Sequence, residues 1–193
     1  MTGDLGVEIS QKLDEMGASA SVGMEVCFDC YFDAVRGLVE RFCSEKELHC
    51  IYITASIPAA TLMGALGSLQ VDMGRLNIID CLSHMIMGNI ERNEKVIFVE
   101  SPTMLENVIL KVEYLMRRNE NAPCLVVLDS IDSLAIHNDP KILSEFLQIL
   151  LGGLKSREAY SVVLSMAEQA RSEIKELVAL VCDHVVSFAP TSE

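Results

Sequence analysis

Basic residues are scarce in this chain. Fifteen lysines and arginines stand against 28 aspartates and glutamates, a formal net charge of −13. Binding to nucleic acid draws most of its affinity from neutralised phosphates and shows itself as a basic stripe. No such stripe is present, so nucleic acid is not an expected partner, and anionic membrane surfaces are excluded for the same reason. Long apolar runs are missing as well. None reaches the roughly 18 residues expected of a membrane span. The N-terminal stretch MTGDLGVEISQKLDEMG is acidic and lacks the apolar centre of a signal peptide. A cytoplasmic protein is therefore expected, with its acidity spread over a solvated surface.

Metal-ligand spacing is thin too. There are seven cysteines but a single CxxC, Cys27-Phe28-Asp29-Cys30. A structural zinc site needs four ligands, and no second CxxC or close histidine pair follows. Cys43, His49 and Cys50 could complete one only through tertiary contact. In a cytoplasmic protein the seven thiols are expected to be reduced, mostly buried packing residues, with zinc or redox work at the pair as the alternative. No metal site is expected. His84, His137 and His184 fall near the ends of strand-like runs without readable triad spacing, and are expected to be surface or satisfied core residues.

What is present is an alternation of strand-like and helix-like segments over 193 residues, half of them hydrophobic. Strand-like runs are GMEVCF (23–28), CIYITAS (50–56), RLNIIDCLS (75–83), KVIFVES (95–101), CLVVLDS (124–130), YSVVLSM (160–166) and DHVVSFA (183–189). Helices are expected between them, over about 31–46 and 58–69, from Ser101-Pro102 along an apolar stripe to Met116, from Asp139-Pro140 to about Gly152-Gly153 or shortly after, and over about 169–181. Ser101 with Pro102 and Asp139 with Pro140 suit helix starts. The helix from residue 140 carries apolar residues around more than one face, which fits deep burial or a protein interface. The first 20 residues and the last few are expected to be loose, with one domain over 21–193. There are no internal repeats, low-complexity segments or linkers.

The stretch CLVVLDSIDSL (124–134) carries the most chemistry. An apolar run leading into Asp129 is how a buried parallel strand delivers a carboxylate to the end of a sheet. In nucleotide hydrolases such an aspartate helps hold magnesium. It has a structural reading as well: Asp129 followed by Ser130 can simply organise the loop by local hydrogen bonds.

The order of these pieces resembles the RecA-like ATPase core, and most closely the KaiC-like domains of archaea, over roughly residues 11–189. KLDEMG (12–17), GRLNIIDCLS (74–83), CLVVLDSIDSL and SVVLSMAEQ followed by LVCDHVVSF carry it. The resemblance implies an α/β, three-layer, mostly parallel sheet flanked by helices. It also implies Asp129 in the magnesium-strand position, with Ser130 beside it, and a nucleotide-sensing position near Glu168 and Gln169. The family's phosphate loop, G-x-x-x-x-G-K-[ST], should follow the first strand. Here residues 29–35 read DCYFDAV, without glycine, lysine, serine or threonine. Glycines let successive N–H groups close around phosphate, the lysine neutralises it, and the hydroxyl binds magnesium. Each aspartate–phosphate contact at about 4 Å would instead cost roughly 1 kcal/mol even in water. The family's catalytic glutamates after the second strand are also missing from TASIPAAT (54–61). The expectation is a non-catalytic RecA/KaiC-like module with no catalytic residues and no cofactor, regulatory or protein-binding, pairing with itself or another protein. The alternative is an ATP-binding protein or ATPase with an atypical loop, using ATP and magnesium at Asp129. The archaeal relatives' tie to signal transduction is part of the same resemblance.

Overall fold

Continuous apolar runs give the central strands two buried faces, and the structure covers both. In this computed structural model, residues 4–87, 93–119 and 122–188 are described. Seven strands form one sheet: β1 (Ser21–Val26), β2 (His49–Thr54), β3 (Leu76–Asp80), β4 (Val96–Phe98), β5 (Cys124–Asp129), β6 (Tyr160–Met166) and β7 (His184–Phe188). Their order is β4-β3-β2-β5-β6-β1-β7, and every pairing is parallel. Parallel neighbours need crossovers, and helices supply them on both faces.

On β5, Leu125 and Val127 enter one core cluster, and Val126 and Leu128 the other. The first cluster is closed by helix Leu5–Met16, by a helical segment over 28–45 and by helix Ala59–Ser68; the second by helices Leu105–Arg118, Ile131–Leu134, Pro140–Lys155 and Ser172–Val181. This is the three-layer arrangement expected from the sequence. The helix from Pro140 starts as read, with proline in its first turn, and buries Leu143, Phe146, Leu147, Leu150, Leu151 and Leu154. Only Ile142 and Ile149 of its large apolar residues stand clearly in solvent.

Three local readings differ. The N-terminal stretch read as loose carries helix Leu5–Met16, capped by Asp4 and anchored by buried Ile9 and Leu13. The closing residues, from 189 on, lie outside the described residues. Ser101 does not start a helix: its hydroxyl bonds the Thr103 side chain and N–H in a local turn, and the helix begins at Leu105. The third difference is covalent. Cys27 and Cys30 form a disulfide, so the seven cysteines are not all reduced, and five are free thiols. A separation of three residues at a strand-to-helix corner brings the two sulfurs within bonding reach without long-range closure.

The 28–45 segment opens with a turn of 3-10 helix (Phe28–Cys30), continues as α-helix (Tyr31–Arg36), and widens to π-type turns over Gly37–Phe42. At Gly37 it meets Gly6 of the first helix so closely that a Cβ on Gly37 would stand 2.8 Å from the Gly6 Cα. Two glycines therefore set the depth of this crossing, and through it the seat of the segment on the sheet.

Candidate functional site

Ligands of open α/β sheets bind at the carboxyl ends of the strands. Thr54, Asp80 and Asp129 arrive there in register, on β2, β3 and β5. Asp80 is fully buried and committed to structure. Its carboxylate accepts from the N–H groups of Ala59, Leu82 and Ser83 and from the Ser83 hydroxyl. It thereby caps a helix whose own preceding residue, Pro58, offers no side-chain cap.

Asp129 is also fully buried, and two tyrosines hold it. Tyr52, on neighbouring β2, donates to Oδ2 at 2.7 Å. Tyr31, from the helical segment after β1, donates to the same oxygen. Burial raises the Asp129 pKa, and the hydroxyls of Tyr31 and Tyr52 pull it part of the way back. The tyrosines respond in kind: burial, then the Asp129 charge, pushes both phenols well up, so they remain donors. Asp129 Oδ1 and Ser56 Oγ are buried, and neither completes a hydrogen bond among the described residues.

The start of the 28–45 segment is where successive N–H groups point out of the helix and favour an anion. The chain supplies that anion itself. Glu168, just beyond β6, accepts from the Phe28 N–H through both carboxylate oxygens, at 3.1 and 3.2 Å. The strand ends therefore carry a carboxylate on a helix end and a buried aspartate closed by two phenols.

No family model and no curated protein sequence matches the chain. A crystal structure of a KaiC-like protein from the hyperthermophilic archaeon Pyrococcus horikoshii does resemble it, with a TM-score of 0.63 at 16% identity, over 91% of this chain and 76% of the other. This chain has a KaiC-like RecA fold.

In this KaiC-like fold Asp129 ends β5, where the sequence put it, but the structure does not use it to order the following loop. Ser130 does that: it is the N-cap of Ile131–Leu134, and its hydroxyl accepts from the Ser133 N–H. The peptide bond between Asp129 and Ser130 is cis. Asp132, two residues on, takes the Met166 N–H at 2.8 Å and pins the end of β6 to this corner; burial raises its pKa and that N–H lowers it. His84, His137 and His184 are exposed and make no common site. Among the described residues no cluster of three or more His, Cys, Asp or Glu could hold a metal ion. No helix among them is long and apolar enough to cross a membrane.

Sequence reasoning missed Tyr52 and Ser56. The Tyr52 signal was present: a tyrosine in the centre of CIYIT, a fully buried strand, must find a partner for its hydroxyl. Residues 29–35 were read only for what a phosphate loop would need, and the bond from Tyr31 to Asp129 was missed.

Proposed function

We propose that this KaiC-like fold has lost its phosphate chemistry and works as a non-catalytic regulatory or protein-binding module in signal transduction. The observation that carries this reading is the closure of Asp129. A magnesium-binding carboxylate needs a free oxygen facing the ligand, and Asp129 is fully buried under the hydroxyls of Tyr31 and Tyr52. Glu168 supports the same conclusion, since it occupies the helix end where phosphate would be drawn and would repel it. ATP with magnesium does not fit these residues. The 29–35 turn offers no glycine cradle and no lysine, and its Asp29 and Asp33 are exposed. Its first strand therefore leads into what we read as a degenerate phosphate loop.

The partner is a protein, either a second copy of this chain or an active relative; the net charge of −13 argues against nucleic acid. Support comes from the outer side of helices Leu105–Arg118 and Pro140–Lys155, where Leu110, Tyr114, Ile142 and Ile149 are each about half exposed or more. We place the protein in the cytoplasm, because five of its seven cysteines are free thiols.

A second reading, nucleotide binding through an atypical loop, has one observation in its favour: the unpartnered Asp129 Oδ1. The two separate in a calorimetric titration with ATP and magnesium to millimolar concentration, repeated on Asp129→Asn. The expected result is no heat of binding and an unchanged melting temperature. Saturable heat that the substitution abolishes would overturn the proposal, because a ligand of the native state must stabilise it. Light scattering at high concentration, alone and with Ile149→Glu, tests self-association separately.

A further inference from the structure

The seven cysteines divide by covalent state. Cys43, Cys50, Cys81, Cys124 and Cys182 are free and buried. Burial pushes the Cys81 and Cys182 thiols up to about 12 and Cys124 to about 11. Hydrogen bonding to Cys43 and then burial raise Cys50. These are inert packing groups, because the thiolate is the reactive species. The remaining two, Cys27 and Cys30, are joined to each other and sit at the corner between β1 and the 28–45 segment. Cys27 is 4% exposed and is the residue that caps the segment's first turn. Cys30 is partly exposed, and exposed Phe28 and Asp29 separate the pair.

We propose that Cys27–Cys30 is a reversible thiol–disulfide exchange site whose substrate is a dithiol reductant. The proposal concerns a pair separate from Asp129 and holds whether or not nucleotide binds. An incoming thiolate attacks Cys30 Sγ, the more accessible sulfur. The Cys27–Cys30 bond breaks, a mixed disulfide forms on Cys30, and Cys27 leaves as a thiolate. Cys27, the less exposed of the two sulfurs, is the one displaced. The reductant's second thiolate then attacks its own sulfur in the mixed disulfide. It departs as a cyclic or intramolecular disulfide, and Cys30 is released. Two electrons pass from the dithiol to the pair, and two protons end on Cys27 and Cys30. In the reducing compartment proposed above, a disulfide persists mainly where it is transient or redox-sensing rather than structural. Tyr31 follows Cys30 directly and donates to Asp129, so the redox state of the pair is set next to the hydroxyl that closes the carboxylate.

The test uses the folded full chain in buffers of reduced and oxidised dithiothreitol at graded ratios, quenched natively with a maleimide and mapped by mass spectrometry. The expected result is that Cys30 becomes labelled as the buffer is made reducing and is protected again on reoxidation, while buried Cys27 and the other five thiols are labelled only after denaturation. Failure of the native protein to label at Cys30 in excess dithiothreitol would overturn the proposal, provided the denatured protein labels all seven. So would full labelling at every ratio, which would mean no disulfide forms. With thionitrobenzoate disulfide as probe, Cys27→Ser should form a mixed disulfide at least about 10-fold faster than Cys30→Ser, since access governs the attack. Equal rates would refute the assignment of Cys30 as the attacked sulfur. Circular dichroism on each variant separates misfolding from loss of exchange.

Discussion

Removing the hydroxyls that close Asp129 is the most direct perturbation of the site. Tyr52 is fully buried and Tyr31 is 9% exposed, and both donate to one carboxylate oxygen. A hydrogen bond to a charged group is worth about 1.5–3 kcal/mol. Tyr52→Phe is therefore expected to cost about 2 kcal/mol, and Tyr31→Phe about 1.5 kcal/mol because water partly compensates. Asp129→Ala strands both phenols at once, with an expected cost of about 4 kcal/mol. The double substitution Tyr31→Phe with Asp129→Ala should cost less than the sum, with a coupling of about 1–2 kcal/mol. Urea unfolding with an unchanged slope against denaturant is the assay. The pH sense follows from burial. The folded-state pKa of Asp129 lies above its unfolded value, so the protonated form favours the native state. Stability from this group is fully present below the unfolded pKa and is lost as pH rises through the raised folded value. Tyr31→Phe removes a hydroxyl that lowers that pKa, so the loss should extend to higher pH in the variant. Strict additivity of the two substitutions would refute the closed-carboxylate reading.

Gly37→Ala should destabilise by about 1–3 kcal/mol, since its Cβ would meet backbone at 2.8 Å. Gly153→Ala, inside the Pro140–Lys155 helix with nothing within 4 Å of the new Cβ, should instead stabilise by about 0.5–1 kcal/mol, and thermal unfolding of the pair checks both signs. Asp80→Ala removes the acceptor for three N–H groups and should cost about 3 kcal/mol in urea unfolding. Asp183 is held down to about 2 by the Ser21 N–H, Lys155 and the Ser21 hydroxyl. Its stabilising contribution is present above the unfolded carboxylate range and is lost as pH falls from about 4 towards 2. Because the group is exposed and screened, this contribution is on the order of 1 kcal/mol or less. Acid titration of stability should flatten in that window in Asp183→Asn.

The central strands were legible because burial on both faces leaves continuous apolar runs, and YSVVLSM marks β6 residue for residue. Asp129 was legible for the same reason, as the charge that ends such a run. Its partners were not. Tyr31 and Tyr52 lie 98 and 77 residues from it, and no local spacing records a pairing across a sheet. The Glu168 contact with Phe28 spans 140 residues and was hidden likewise. The disulfide was misjudged for another reason. The CxxC was visible, but the expected reducing compartment outweighed the short reach between the sulfurs. At Ser101 the dipeptide Ser-Pro suited two local structures, and the hydroxyl's bond to Thr103 selected the turn.

The strand order has a consequence for synthesis. Residues 49–129 supply β2 to β5, which lie side by side as β4-β3-β2-β5 and can pair as they emerge. β1 is different: its only neighbours are β6 and β7. The first strand made must therefore wait for the last two, with ladder partners as far apart as Ser21 and Ser161. At 5–20 residues per second that wait is on the order of ten seconds on the ribosome, with both ladder edges of β1 unfilled throughout. A nascent chain halted before residue 160 would hold a half-sheet whose β5 edge is open, together with a free strand of matching apolar character. The vulnerable interval in the life of this protein lies before its release, while that edge is unfilled.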